Sequence, residues 1–332
     1  MRITAKAPCR VDMAGGTLDI WPLYLFHHSV VTVNFAVNLY TTAVIETRSD
    51  SRILLRSADL KREEQFASLD HLRAARNYKL PLLAWVVRHF APTTGLELST
   101  NSESPTGAGI SGSSALIIAI SSALNRLTSA RHNIEKIREI SQNIEAQIIR
   151  VPTGSQDYYP AMYGGVSAIE LSCSGIARKA IPVPLQELNS RFVLAYTGVP
   201  RNSGINNWEV MKSHINGDLS VHRNFDRIAE IANGMRDALE ASNWDDAARL
   251  LREEWSFRRK NAPGISTPLI DRLISVARRS GAEAAKVCGA GGGGCLFFLV
   301  APDTKEKVSA AIANEGALVL DAAVAPRGVK LT

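Results

Sequence analysis

The chain has 332 residues, of which 45% are hydrophobic and 21% are charged, and its formal net charge at neutral pH is +6. This composition is typical of a soluble globular protein. The basic residues are dispersed without a block of like charges, so the net charge does not predict a nucleic-acid surface. No segment approaches the roughly 20 apolar residues of a membrane span, and the N-terminus lacks the apolar core of a signal peptide. We therefore expect a cytoplasmic protein with no membrane or nucleic-acid partner.

The length exceeds what one hydrophobic core usually supports, which favours two domains. Residues 166–171, 180–183 and 192–196 have strand composition, whereas residues 205–260 contain no proline and read as almost wholly helical. This change predicts a boundary between domains 1–180 and 181–332. Helix and strand patterns occur in both parts, so the predicted fold class is α+β.

In chain order, an edge strand is predicted at residues 2–8. It leads to Gly15 and Gly16, a glycine pair bracketed by Arg10, Asp12 and Asp19. Because the backbone can approach a ligand closely at glycine, this stretch predicts a polar pocket. A hairpin turn whose carboxylates cap local amides fits the same residues.

Strands are predicted next at 30–47 and 52–56, an irregular charged stretch at 59–77, a helix at 80–90 and a short strand at 95–100. A loop rich in glycine and serine then spans residues 104–115 and runs into an apolar helix. Glycines can turn backbone N–H groups to one side, and the first-turn amides of a helix have no internal acceptor. Such a loop attracts phosphate.

Two better-known glycine motifs are excluded for this loop. Gly107, Gly109 and Gly112 spell G-x-G-x-x-G, but a helix follows at 133–150 where the dinucleotide motif requires a strand. No lysine lies between residues 80 and 133, so the loop is not a P-loop. An anion cradle is therefore predicted, with an ordinary helix-entry loop as the alternative.

Two carboxylates follow the loop. In the helix at 133–150, isoleucines recur at helical spacing, so Glu145 lies beside the buried stripe, a position that is often a solvated flank. Residues 151–160 form a loop rich in proline and glycine, in which Asp157 stands between Gln156 and Tyr158. This acid is either a general base held out of bulk water or an ordinary turn aspartate.

The last third is predicted to contain a helix at 269–279, strands at 284–287 and 295–300, a helix at 305–314 and a strand at 318–323. A glycine run at residues 289–294 again fits G-x-G-x-x-G. A strand follows it where a dinucleotide motif needs a helix, so this run does not predict dinucleotide binding.

Four stretches in this order resemble the GHMP kinase superfamily of small-molecule kinases. Residues 7–10 resemble its first motif, residues 105–115 its phosphate loop, residues 154–157 its catalytic-aspartate loop and residues 286–295 its C-terminal glycine motif. Within the superfamily, residues 14–19, the Gln156-Asp157 pair and residues 196–198 look most like the bacterial heptose-7-phosphate kinase branch. The resemblance implies a ribosomal protein S5 domain 2-like N-terminal domain and a ferredoxin-like C-terminal domain. Gly16 stands where galactokinases have glutamate, which argues against a galactokinase.

The resemblance also implies the roles of individual residues. Asp157 would accept the proton of the substrate hydroxyl, and Arg10 would hold this carboxylate in its charged form. Ser114 and Glu145 would hold Mg²⁺. The residues expected to bind the phosphates of ATP are Pro105, Gly107, Ala108, Gly109, Ile110, Ser111, Gly112, Ser113 and Ser114. The residues expected to bind substrate are Gly15, Gly16, Thr17, Asp19, Arg201, Gly291, Gly292 and Gly293.

The expected activity is transfer of the γ-phosphate of ATP to a sugar hydroxyl, with the anomeric hydroxyl of a heptose 7-phosphate or a related sugar as the acceptor. A kinase of a free sugar, similar to galactokinase or fucokinase, is one alternative. A sugar-binding regulator that has lost catalysis is another, because folds are reused. Such a regulator is expected to lose the base or a metal ligand, whereas Asp157, Arg10, Ser114 and Glu145 are all present. The expected partner is a sugar or sugar phosphate, and the chain is expected to be a monomer or a homodimer.

Overall fold

The structure is a computed structural model that describes residues 1–200 and 203–332, and the side chains of all of these except residues 203–206. It contains two β-sheets with helices packed on them. None of the helices in the described part of the chain is both long and apolar enough to cross a membrane.

The first sheet has eight strands. They are β1 (Arg2–Ala14), β2 (Val30–Thr47), β3 (Ile53–Ser57), β4 (Arg62–Phe66), β5 (Leu96–Ser102), β6 (Val166–Ser172), β7 (Gly175–Ala180) and β12 (Lys330–Leu331). The main order is β12-β1-β2-β5-β3-β4, and β6 links β2 to β7. One half of β2 pairs with β6 and the other half with β5, so this long strand organises the sheet.

Five helices belong to this part of the chain: α1 (Leu69–Ala74), α2 (Pro81–Phe90), α3 (Gly112–Leu127), α4 (Ile134–Ile149) and α5 (Tyr159–Tyr163). The central helix α3 packs on β1 and β2 and is flanked by α2 and α4. It is apolar on most sides, as expected for a helix with neighbours all round. Its N-terminus is thereby fixed at the edge of the sheet.

The second sheet contains β8 (Phe192–Tyr196), β9 (Ala282–Val287), β10 (Cys295–Val300) and β11 (Leu318–Leu320). Its order is β11-β8-β10-β9, and each pairing is antiparallel. The helices of this part are α6 (Leu185–Ser190), α7 (Ser203–Ile215), α8 (Leu219–Glu240), α9 (Trp244–Arg258), α10 (Pro268–Arg279) and α11 (Lys305–Asn314). With α10 and α11 as the connecting helices, this is the ferredoxin-like order.

The two sheets are joined by a shared core. Helices α8 and α9 pack on each other, α8 also contacts β2, and α9 also contacts β9. Buried side chains of α8 and α9, such as Met235 and Leu251, belong to the same apolar cluster as Val33 of β2 and Ala284 of β9. The C-terminal helices thus hold the second sheet against the first.

Most predicted elements are confirmed, and three stretches differ. Residues 59–77 contain β4 and α1 instead of irregular chain, and the strand expected at 180–183 is β7, at Gly175–Ala180. The first strand continues to Ala14 because its residues pair with β2 through two bulges. The division at residue 180 stays a prediction: the chain changes sheet between β7 and β8, but β12 returns to the first sheet.

Candidate active site

A cavity of about 530 Å³ opens beside the N-terminus of α3. One wall is the glycine loop before α3, and a second is the start of α2 together with the β3–β4 hairpin. Residues 151–154, Gln156 and Asp157 line it as well, and Gly289 and Ala290 come from the C-terminal glycine run. The predicted residues Arg10, Thr17, Asp19, Glu145 and Asp157 also line this cavity, although they lie on separate segments.

The glycine loop is held in a fixed path on two sides. Gly107, Gly109 and Ser111 adopt left-handed φ angles of 71°, 77° and 59°. The main-chain N–H of Arg10 donates to the carbonyl of Ile110 at 3.0 Å, and Arg10 Nη1 donates to the carbonyl of Gly109 at 3.0 Å. This path turns the N-terminus of α3 towards the cavity. A helix N-terminus favours bound anions, so the cavity is suited to phosphate.

The other side of this loop is held by the second sheet. The N–H of Cys295, at the start of β10, donates to the carbonyl of Ala108 at 2.6 Å. A side chain at Gly294 would overlap the same carbonyl, with a Cβ only 2.6 Å from its oxygen. The C-terminal glycine run therefore contacts the phosphate loop directly through Gly294.

Arg10 and Asp157 form an ion pair at the cavity wall. Arg10 Nε and Nη2 donate to Asp157 Oδ1 at 2.9 and 2.5 Å. The arginine side chain is 2% exposed, whereas that of Asp157 is 22% exposed. Burial by itself would lower the pKa of Arg10, but Asp157 and Asp12 outweigh burial and raise it. The guanidinium therefore stays charged, and it fixes one oxygen of Asp157.

Glu145 is buried among hydroxyl groups at the start of α3. Its Oε1 accepts from Ser113 Oγ at 2.6 Å, and its Oε2 accepts from Ser114 Oγ at 3.0 Å and from Tyr158 OH at 2.6 Å. Burial raises the pKa of Glu145, and the hydroxyl donors oppose this shift. The interpretation of Glu145 as a solvated flank is wrong, because the side chain faces inward from α4. The structure brings Glu145 and Ser114 together as predicted.

Asp19 is also buried, at 1% exposure. Its Oδ2 accepts from the N–H of Gln156 at 2.8 Å. Burial and the nearby charge of Asp157 raise the pKa of Asp19 to about 7. Among the carboxylates that line the cavity, Asp157 is therefore paired with an arginine, whereas Asp19 takes up a proton near neutral pH.

Behind the cavity lies a buried ionic cluster formed by Asp12, Glu254, Arg258 and Lys286. Lys286 Nζ donates to Asp12 Oδ2 at 3.1 Å and to Glu254 Oε1 at 2.9 Å. Arg258 Nη1 lies 3.2 Å from Glu254 Oε1 and 3.5 Å from Asp12 Oδ2. Burial would raise the pKa of Asp12, but the two cations lower it. Three of these residues come from the C-terminal elements α9 and β9, so the cluster ties them to β1.

Arg258 connects this cluster to the cavity, which it lines. Its Nη2 donates to the carbonyl of Gly289 at 2.7 Å and to Thr17 Oγ1 at 3.3 Å, and its Nη1 donates to the carbonyl of Gly16 at 3.1 Å. Sequence reasoning noted Asp12 only as a charge near the glycine pair and missed the other three. Lys286, between Ala285 and Val287, was the available signal, but nothing in the sequence pairs it with Glu254 or Asp12.

Several predicted substrate residues are placed behind the cavity wall. Side chains at Gly15 or Gly16 would collide with β2 or with Asp12, so these glycines allow close packing. Gly291 and Gly293 pack against the main chain at Ile265 and Val199, and the N–H of Gly292 donates to the carbonyl of Ile265. Within the described part of the chain, the residues of this glycine run that line the cavity are Gly289 and Ala290. Substrate contacts by Gly15, Gly16 and Gly291 to Gly293 stay predictions, and Arg201 lies outside the described residues.

Comparison with known proteins identifies the family. Residues 77–165 match the family model of the GHMP kinases N terminal domain, and residues 235–318 match that of the GHMP kinases C terminal domain. The two models together span slightly more than half of the chain.

Similarity to individual proteins over the full length of the chain supports the same family. A D-glycero-alpha-D-manno-heptose 7-phosphate kinase of Campylobacter jejuni is 26% identical over 99% of this chain and 98% of its own length. A mevalonate kinase of Thermococcus sibiricus is 23% identical over 100% of this chain and 98% of its own. The structure of Lactococcus lactis galactokinase with galactose has the same fold, with a TM-score of 0.81 at 20% identity over 99% and 95% of the two chains. The expected fold is confirmed, and the chain belongs to the GHMP kinase superfamily of phosphotransferases.

Proposed function

We propose that this chain transfers the γ-phosphoryl group of ATP to the anomeric hydroxyl of a heptose 7-phosphate or a closely related sugar phosphate. The observation that carries the proposal is the Arg10–Asp157 pair, which lies in one cavity with a glycine loop and a helix N-terminus. A base and an anion cradle in one cavity are what phosphoryl transfer to a hydroxyl requires.

Asp157 acts as the base that takes the hydroxyl proton. Among the described residues, its side-chain hydrogen bonds from Arg10 go to Oδ1, which leaves Oδ2 to accept the proton from the substrate. Arg10 positions the carboxylate through its two hydrogen bonds to Oδ1. Because Asp157 is partly exposed to the cavity, a hydroxyl can reach it.

The loop from Pro105 to Ser114 binds the phosphates of ATP. Its path leaves the first-turn N–H groups of α3 without helix partners, and Ser111 Oγ is buried with no hydrogen-bond partner among the described residues. These donors surround negative charge without needing a lysine, which this loop lacks. The loop lines the same cavity as Asp157, so phosphate bound here shares that cavity with the proposed base.

The residues beside α3 fit Mg²⁺. Glu145, Ser113 and Ser114 provide a carboxylate and two hydroxyl oxygens in one place, and Mg²⁺ prefers oxygen ligands together with water and phosphate. An ion bound there would neutralise charge on the phosphate oxygens. Glu145 and Ser114 would hold it, and Tyr158 orients Glu145 through a hydrogen bond to Oε2.

The sugar occupies the part of the cavity near Asp19, Thr17 and Arg258. Asp19 accepts hydrogen bonds from ring hydroxyls, and Arg201 is proposed to bind the phosphate already on the sugar. The full-length similarity to a heptose 7-phosphate kinase supports this acceptor over a free sugar.

The test is a screen for ADP release with MgATP over heptose 7-phosphates, hexose 6-phosphates and free sugars, followed by NMR of the product. The proposal expects kcat/KM to be highest for a heptose 7-phosphate and the new phosphate to be on the anomeric carbon. Reactions without an acceptor serve as the background control. A higher kcat/KM for a free hexose, or phosphorylation at another hydroxyl, would refute the substrate assignment while leaving the kinase assignment intact. No ADP release above background with any acceptor would refute both.

A further inference from the structure

A cluster of histidines lies away from the active-site cavity, where the N-terminal part of the chain meets helices α7 and α8. It contains His27, which follows a short 3-10 helix at Leu23–Phe26, His214 on α7 and His222 on α8. His27 and His214 are buried and His222 is half-buried. None of the three lines the active-site cavity. The proposed kinase reaction therefore gives these residues no role.

The three rings bring nitrogen atoms close together. One ring nitrogen from each histidine lies within 4.8 Å of the other two. His27 Nε2 and His214 Nε2 are 2.8 Å apart, and the rings of His214 and His222 are stacked with centroids 3.8 Å apart. Tetrahedral ligands at about 2.0–2.1 Å from a metal ion lie roughly 3.3 Å apart, so the His27 and His214 nitrogens must separate slightly, and the stacked His214 and His222 rings must rotate before their lone pairs converge.

Contacts with oxygen atoms indicate which ring nitrogen carries the proton in two of the three histidines. Asp226 Oδ1 lies 2.6 Å from His27 Nδ1, and because a carboxylate accepts, the proton of His27 is on Nδ1 and the lone pair is on Nε2. His222 Nε2 lies 2.9 Å from the carbonyl oxygen of His214, so this nitrogen donates and the lone pair of His222 is on Nδ1. A carboxylate or carbonyl behind each ring is the usual support of a metal-binding histidine.

His214 provides the third ligand. Its Nδ1 is buried with no hydrogen-bond partner in the described part of the chain, and its side chain is 2% exposed. Its Nε2 lies 2.8 Å from His27 Nε2, and moving the single ring proton to Nδ1 frees the Nε2 lone pair without any net loss of a proton. The proton on Nδ1 is then buried without a partner among the described residues, a cost that metal binding at Nε2 has to offset.

We propose that His27, His214 and His222 bind one transition-metal dication, with Zn²⁺ the preferred ion and Asp226 positioning His27. Three neutral imidazoles suit Zn²⁺, Cu²⁺ or Ni²⁺ and do not suit Mg²⁺ or Ca²⁺, which prefer oxygen. The site is distinct from the proposed Mg²⁺ site at Glu145. Since α7 also places Asn207 in the cavity wall, the ion holds this helix against the segment around His27.

The test measures Zn²⁺ binding directly, using the full chain without a polyhistidine tag after dialysis against a chelator. Isothermal titration with ZnCl₂ is run on the wild type, His222→Gln and His27→Gln. His28→Gln is the matched control, because His28 is the exposed neighbour of His27. We expect one Zn²⁺ per chain in the wild type and the control, and an affinity at least about tenfold weaker in the two cluster variants.

Thermal unfolding gives a second readout that does not depend on activity. Zn²⁺ should raise the melting temperature of the wild type and of His28→Gln, and should raise that of His222→Gln by clearly less at the same Zn²⁺ concentration. If His27→Gln does not fold, the result for His222→Gln still tests the proposal. The side chain of His222 is only half-buried, so its replacement should not prevent folding. Absence of saturable binding in the wild type, or equal Zn²⁺ affinity in the wild type and His222→Gln, would overturn the proposal.

Discussion

Arg10 and Asp157, which are 147 positions apart in the sequence, meet through two hydrogen bonds to a single carboxylate oxygen. The same guanidinium donates to the carbonyl of Gly109 in the phosphate loop. One buried side chain thus sets the distance between the proposed base and the proposed phosphate site. Positioning of this kind is the main contribution a protein makes to phosphoryl transfer.

The first prediction concerns the metal at Glu145. Glu145→Gln should raise the Mg²⁺ concentration needed for half-maximal activity by at least about tenfold, because a neutral amide is a poorer ligand for a hard cation. The KM for the sugar should change little. Glu139→Gln, on the exposed side of the same helix, is the control. Mg²⁺ titrations of the initial rate provide the measurement, and identical curves for the two variants would argue against the metal role.

The second prediction concerns Asp19 and pH. Its pKa in the folded chain is raised to about 7, above its ordinary value of 3.8, so the folded state holds a proton that the unfolded state has released. The stabilisation from this group is complete below pH 3.8 and is lost as the pH rises through about 7. Asp19→Asn cannot ionise and keeps an oxygen that can accept from Gln156.

The melting temperature of Asp19→Asn relative to wild type should therefore be higher at pH 8 than at pH 5. Asp70→Asn, at an exposed position, should show no such difference. Differential scanning calorimetry at pH 5 and pH 8 measures the melting temperatures of the two variants and of the wild type. A melting-temperature difference that does not depend on pH would show that Asp19 is ionised throughout this range.

The third prediction concerns the buried ionic cluster. Lys286→Met leaves Asp12 and Glu254 with Arg258 as their shared cation, and removing one partner of a buried ion pair typically costs about 3–5 kcal/mol. The urea midpoint should fall accordingly. Lys307→Met, which is exposed on α11, is the matched control and should have little effect. A similar urea midpoint for the two variants would mean that the cluster contributes little to stability.

The fourth prediction tests the phosphate on the sugar. Arg201→Ala should reduce kcat/KM for a heptose 7-phosphate by an amount equivalent to about 2–3 kcal/mol, the cost of losing a charge-assisted hydrogen bond. The value for the corresponding free sugar should barely change. Arg223→Ala, at an exposed position of α8, controls for a general loss of positive charge. Equal losses with both substrates would remove Arg201 from phosphate recognition.

Local patterns predicted the parts of the site that lie within one element or loop. The path of the glycine loop follows from its composition, and Glu145 could be placed beside the buried stripe of α4 from isoleucine spacing alone. Whether its carboxylate faced solvent or the cavity could not be decided, because the deciding partners, Ser113 and Tyr158, lie on other segments. The ionic cluster was missed for the same reason: Asp12 and Lys286 are 274 positions apart, and only the packing of the two sheets brings them together.

The glycines show a second limit of prediction from the sequence. Gly291 and Gly293 were expected to contact substrate, but the structure packs them against Ile265 and Val199. A glycine signals that something approaches the backbone closely, and the sequence does not say whether this is a ligand or another part of the chain.

The most direct test of the proposed mechanism is the turnover number of Asp157→Asn at saturating MgATP and heptose 7-phosphate, with ATP affinity measured on the same preparation. The amide keeps the shape of the side chain but cannot accept the proton, so kcat should fall by about 10²–10⁴-fold. ATP affinity should stay within a few-fold, because the phosphate loop is intact. A kcat close to that of the wild type, with ATP binding preserved, would show that Asp157 is not the base.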